Sequence, residues 1–165
     1  MRKFAALILS FFALFYFCGC DNASATKPVC DNITYDAVVQ YYGNEYTLKV
    51  EIDAVGTAKY SVVSPSSLKD FSIVFSGGGA TAYYKGLTYE PKLDSLPYGG
   101  LVQSLYMMNE NARKQAVQRD NDRFFIKGQT DYGEFTLYLS ESGLPLNAIL
   151  CGDDFTVRFS SVALT

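Results

Sequence analysis

The chain has 165 residues, 48% of them hydrophobic and 19% charged, with a net charge of −3 and no histidine. An acidic chain is poorly suited to nucleic acid, because phosphate backbones are held by clustered Lys and Arg, so no nucleic-acid partner is expected. The lack of histidine removes Ser-His-Asp and Cys-His activation and the usual zinc sites, so the sequence points away from an enzyme and calls for no metal or cofactor.

Arg2-Lys3 precede an apolar stretch, Phe4 to Phe17, which closes on Phe17-Cys18-Gly19-Cys20. A positive start, an apolar run and a small residue before a cut form the layout of an export signal. The run is shorter than the roughly 20 residues a spanning helix needs. With a cysteine directly after Gly19, it resembles a bacterial lipobox, although Phe17 stands where leucine is usual and Cys18 where a small residue is usual. That resemblance implies removal of residues 1–19 and fatty chains, palmitate among them, on Cys20. The protein would then sit on the extracytoplasmic side of the cell membrane, its membrane partner being reached through the N-terminal lipid. Two or more acyl chains, at about 0.8 kcal/mol per buried methylene, anchor stably. Asp21 resembles the signal that retains lipoproteins at the inner membrane in bacteria that also have an outer one. Removing residues 1–19 from 165 leaves 146, the size of one domain, and losing Arg2 and Lys3 takes the net charge from −3 to −5. Such a charge is repelled by anionic headgroups, so docking must come from the anchor.

Of the 4 cysteines, the lipobox resemblance implies that Cys18 leaves with the signal and that Cys20 carries lipid. Cys30 and Cys151 remain, an even pair in an exported protein, and are read as a disulfide, with two separate buried thiols as the alternative.

Residues 20–34 form the lipidated N-terminus and a flexible tether, small and polar from Asp21 to Pro28. Residues 35–165 form the folded domain. Tyr46, Leu48, Val50 and Ile52 alternate with Thr47, Lys49, Glu51 and Asp53, the period of a half-buried strand. Gly56 turns the chain into Lys59–Val63, giving a hairpin. Ser64-Pro65-Ser66-Ser67-Leu68 reads as a capped helical turn. Phe71, Ile73 and Phe75 make the next strand, and Gly77-Gly78-Gly79 a tight reversal, since neither a helix start nor a lysine-serine pair follows to make a phosphate loop. Strands follow over 80–85 and 87–90.

Gly100 to Ala116 is the one helical segment. It sets Leu101, Leu105, Met108 and Ala112 on one face and Gln103, Asn109, Glu110 and Arg113 elsewhere. Strands resume over 124–130, 134–140 and 146–151, and Phe155, Val157 and Phe159 mark the last. Short turns between consecutive strands predict a mainly β (α+β) fold. It is an antiparallel meander curved into an open half-barrel, with the helix and the short turn covering its concave face.

Asp153-Asp154 and Asp120-Asn121-Asp122 are read as solvated turns rather than calcium or acid-base sites, because nothing nearby supplies further ligands. With 13 Tyr and 12 Phe, the aromatic content is high. Phe71, Ile73, Phe75, Leu105, Met108, Phe135, Leu137, Phe155 and Val157 are candidates to line a concave apolar surface for a lipid or acyl chain. They serve equally as the core that packs the helix onto the sheet.

Gly133-Glu134-Phe135-Thr136-Leu137-Tyr138-Leu139, then Gly143-Leu144-Pro145-Leu146, then Phe155-Thr156-Val157-Arg158-Phe159 read as strand, turn, strand, strand. Preceded by the paired strands of 46–62 and 71–89, this pattern resembles the LolA-like family of exported carriers and lipoproteins across about 35–160. The resemblance implies an open half-barrel whose mouth is covered by helices and which binds an apolar ligand, a lipid or lipoprotein acyl chain. A cell-envelope or sporulation-related protein-interaction module, with a filled core, is the other function expected. The chain departs from the family in two ways: little room exists before Tyr35 for the family's opening helix, and the sorting carrier is soluble whereas this chain is tethered.

Overall fold

The computed structural model describes residues 27–92, 99–150 and 154–165. Cys20 and Cys151 lie outside them. Eleven strands form one antiparallel sheet among these residues: β1 (Ile33–Tyr41), β2 (Asn44–Ile52), β3 (Ala58–Ser64), β4 (Phe71–Ser76), β5 (Gly79–Tyr84), β6 (Leu87–Tyr89), β7 (Gln118–Asp120), β8 (Arg123–Thr130), β9 (Gly133–Leu139), β10 (Pro145–Leu150) and β11 (Phe155–Leu164). Between β6 and β7 lie helix α1 (Gly99–Ala112) and the segment leading to it.

The strand order is β6-β5-β4-β3-β2-β1-β11-β10-β9-β8-β7. Consecutive strands pair throughout β1–β6 and β7–β11, and the two runs are joined where β11 returns to β1, matching Val39 with Val157 and Ala37 with Phe159. The two edge strands, β6 and β7, do not pair with one another, so the sheet curls without closing.

Period-two alternation decides which face is buried. Ile33, Tyr35, Ala37 and Val39 of β1 point inward beside Leu48, Val50 and Ile52 of β2 and Ala58, Tyr60 and Val62 of β3. The outer face is wet: Lys49, Glu51 and Lys59 pair there at 3.4 and 3.7 Å, exposed contacts that contribute little. The inner face packs against α1 through Leu101, Val102, Leu105, Met108 and Ala112. At about 25 cal/mol per Å2, each fully buried Leu, Val or Met side chain there contributes roughly 1.5–3 kcal/mol.

Several expectations are corrected by the structure. The helix stops at Ala112 rather than Ala116. Lys114 N–H donates to Asn111 O (3.0 Å) and Gln115 N–H to Ala112 O (3.2 Å), and these shorter-range bonds tighten and end the last turn. Asn109 is buried with the apolar face, because its amide donates to Cys30 O (3.4 Å). Ser66–Leu68 is a 3-10 turn that starts after Pro65 with no side-chain cap. The folded region begins before Tyr35: Cys30 and Ile33, assigned to the tether from sequence, are buried. The short strand β7 was not expected at all.

The register defines two ends of the sheet. At one, the proximal end, β1 begins beside the end of β2 (Ile33 with Ile52) and the end of β11 (Ile33 with Leu164). At the other, the distal end, Tyr41 matches Asn44 and Phe155. Helix α1 runs from distal to proximal. A Cβ on Gly100 would meet the Tyr41 hydroxyl at 3.5 Å, and residues just past the helix reach the chain ahead of β1.

Candidate functional site

The side chains proposed from sequence to line a ligand surface do converge. Phe71, Ile73 and Phe75 come from β4, Leu105 and Met108 from α1, Phe135 and Leu137 from β9, and Phe155 and Val157 from β11. All are buried within a single hydrophobic cluster. Rings tie the helix to the sheet: Phe75 stacks on Tyr106 at 4.1 Å and meets Tyr60 edge-on at 5.8 Å. Tyr132 donates its hydroxyl to Gln103 Oε1 (2.6 Å), fastening the helix to the β8–β9 turn. Helix α1 therefore fills the concave face.

Of these candidates, Phe135 borders a cleft of about 610 Å3, which it shares with Lys127, Gly128, Glu134 and Thr136. Three further clefts among the described residues, of about 430, 370 and 410 Å3, touch none of the candidates. The clefts are shallow, open and partly charged, unlike the apolar enclosure an acyl chain needs.

Past the C-terminal end of α1, polar groups hold the chain ahead of β1. Arg113 pairs with Asp31 at 2.5 Å and Glu110 at 3.1 Å, and its guanidinium donates to Cys30 O (3.3 Å). Cys30 is a free, buried thiol. Burial pushes its pKa up to about 12; Arg113 opposes the rise, and Asp31 and Glu110 add to it. A thiol protonated at neutral pH is a weak nucleophile, so Cys30 is unsuited to catalysis. Burial likewise raises the phenol pKa values of Tyr35 and Tyr60. The Tyr60 hydroxyl has no hydrogen-bond partner among the described residues.

The expected Cys30–Cys151 bridge falls on Cys151, which lies outside the described residues. Cys30 itself precedes the proximal end of β1, where Val29 N–H donates to Gly143 O (2.9 Å).

The aspartates of the β7–β8 turn behave as a solvated turn. Arg119 donates to Asn121 O (2.7 Å) and lies 3.8 Å from a fully exposed Asp122. Asp153 lies outside the described residues. Among the described residues, no group of three or more His, Cys, Asp or Glu side chains is placed to hold a metal, and no helix is long and apolar enough to cross a membrane.

No family model and no curated protein matches the chain. Solved structures are similar in layout. An uncharacterized conserved protein from Thermus thermophilus aligns at 10% identity and TM-score 0.49 over 85% of this chain and 80% of that one. A LolA superfamily protein from Nitrosomonas europaea aligns at 8% identity and TM-score 0.45, covering 85% and 89%. A putative outer membrane lipoprotein-sorting protein domain from Vibrio parahaemolyticus aligns at 8% and 0.43, covering 85% and 88%. At these identities and scores the likenesses carry no weight on function.

Sequence reasoning missed the sheet's edges. β6 ends the sheet with Leu87 68% exposed and Tyr89 partly so, and Tyr83 of β5 stands beside it, opposite Thr88. The other edge, β7, presents Gln118, Arg119 and Asp120. A Leu-Thr-Tyr triplet carries the composition of a strand, but edge status depends on strand order, which local pattern does not contain.

Proposed function

We propose that the chain is a membrane-anchored, non-enzymatic lipoprotein of the cell envelope that works by protein contact through the β6 edge. The observation behind this reading is the contrast between two surfaces. The concave face is filled by α1, while an apolar edge strand stands in solvent. Edge strands are normally guarded by charge, as β7 is by Arg119 and Asp120. An unguarded edge accepts an extended segment of another protein as an added strand, with main-chain hydrogen bonds supplying affinity and pockets beside alternate side chains supplying specificity.

A photo-crosslinker in place of Tyr83, beside the edge on β5, should trap a discrete partner in intact membranes. Leu87→Lys combined with Tyr89→Lys should weaken that partner's binding by about 2 kcal/mol, roughly thirty-fold. Equal crosslinking with and without the lysines, in protein that remains folded and membrane-bound, rules out the edge.

A second reading keeps an apolar ligand, a lipid or lipoprotein acyl chain, on the concave face. In its favour, that face is apolar from β4 to β11 and is covered by one helix. It requires α1 to leave, exposing Leu105, Met108 and the strand residues beneath. Lipid retained by the purified protein in native mass spectrometry supports this reading; protein free of lipid opposes it.

A further inference from the structure

We propose that the proximal end of the sheet is the face the domain rests on the lipid bilayer, with Val55 and Leu164 seated among the headgroups. This placement relies on the anchored reading and adds an orientation to it. The chain ahead of β1 is fixed at that end by three contacts from separate elements: Val29 N–H to Gly143 O (2.9 Å), Arg113 to Cys30 O (3.3 Å), and Thr165 N–H to Asn32 O (2.8 Å). Lys27, the first described residue, lies with Asp31, Arg113 and Lys114 around one cleft there. Residues 21–26 are all that separate Lys27 from Cys20. Fully extended, that connection spans about 25 Å at most. Acyl chains on Cys20 therefore keep the proximal end within about 25 Å of the membrane, while the distal end lies about 25 Å from the proximal one along the strands.

The surface presented there has an apolar tip that the fold holds outward. The β2–β3 turn is fixed by Asp53, whose carboxylate accepts from Val55 N–H (3.0 Å) and Thr57 N–H (2.8 Å). Its backbone adds Asp53 N–H to Thr57 O (3.0 Å) and Gly56 N–H to Asp53 O (3.3 Å). This braced turn leaves Val55 86% exposed, and Leu164, at the end of β11, is 67% exposed. Lys27, Arg113 and Lys114 stand at this end against Asp31, Asp53, Glu110 and Glu141, a balance of 3 − 4 = −1, so charge does not drive the contact. Apolar side chains brought to a membrane by a tether settle about 5–10 Å into the headgroup boundary.

The chain contains no tryptophan, so Val55→Trp and Tyr42→Trp each carry one reporter, at opposite ends of the sheet. The acylated full-length variants are reconstituted into phosphatidylethanolamine–phosphatidylglycerol liposomes with brominated acyl chains. Both positions are exposed, and circular dichroism confirms the fold. Val55→Trp should be quenched about two-fold or more and shifted to the blue, and Tyr42→Trp should emit as it does in lipid without bromine. Protein that floats with its liposomes but shows no greater quenching at position 55 than at 42 overturns the orientation and leaves the anchor standing. So does a position-55 reporter shielded from aqueous iodide but not quenched by bromine, which identifies a second copy or another protein as the cover. Protein that fails to float overturns the anchor and the orientation together.

Discussion

Gly128 and Phe135 face one another across β8 and β9. A Cβ on Gly128 would lie 2.6 Å from Cε1 and Cζ of the Phe135 ring, far inside any tolerable contact, so the ring occupies the space a side chain would take. Aromatic rings laid over strand glycines repair the packing that glycine forfeits. Gly128→Ala should therefore destabilise the domain by about 1–3 kcal/mol through overpacking, read as a lower urea midpoint with an unchanged slope. An unaltered midpoint would mean that the ring moves aside freely. A glycine inside an apolar strand signals such close approach. The partner ring was not legible, because it depends on the β8–β9 register. The candidate lining residues show the same limit: alternation identified them as inward-facing, but whether α1 fills the space above them is a three-dimensional matter.

At the scale of elements, β1, β3 and the segment before β1 carry three acidic groups that the fold keeps protonated. The Cys30 thiol and the Tyr35 and Tyr60 phenols are all raised chiefly by burial. On unfolding they return to ordinary values of 9.0 for the thiol and 10.0 for the phenols. Between there and their raised values, the folded chain binds more protons than the unfolded one, so stability falls as pH rises. The contribution is fully present below about pH 9 and is progressively lost above it. The urea midpoint should thus be lower at about pH 10.5 than at about pH 7.5, and phenolate absorbance should appear together with unfolding. A constant midpoint with smooth phenol titration in the folded state would contradict the burial. Most elements were legible. Inward-outward alternation marks β2, β4, β9 and β11, and the 3.6-residue stripe marks α1. Where α1 ends was not legible, because Asn109 and Arg113 are drawn to Cys30 and Asp31, far away in sequence.

For the whole molecule, topology carries the consequences. The return of β11 to β1 puts the first strand mid-sheet and ties both described ends of the chain to the proximal end. An antiparallel meander was legible from the short turns. The open curl was expected as well, and the unpaired β6 and β7 edges bear it out. That β1 and β11 would join its two halves was not legible, since it rests on pairing across nearly the whole chain. The anchor is the opposite case. Phe17-Cys18-Gly19-Cys20 is a local signal that needs no fold to be read, and it lies outside the described residues. Intact mass spectrometry of the native protein's N-terminal peptide tests it directly: a chain starting at Cys20 and carrying the mass of two or more fatty acyl groups is expected, whereas an unmodified Cys20 thiol or a start at any other residue contradicts the account.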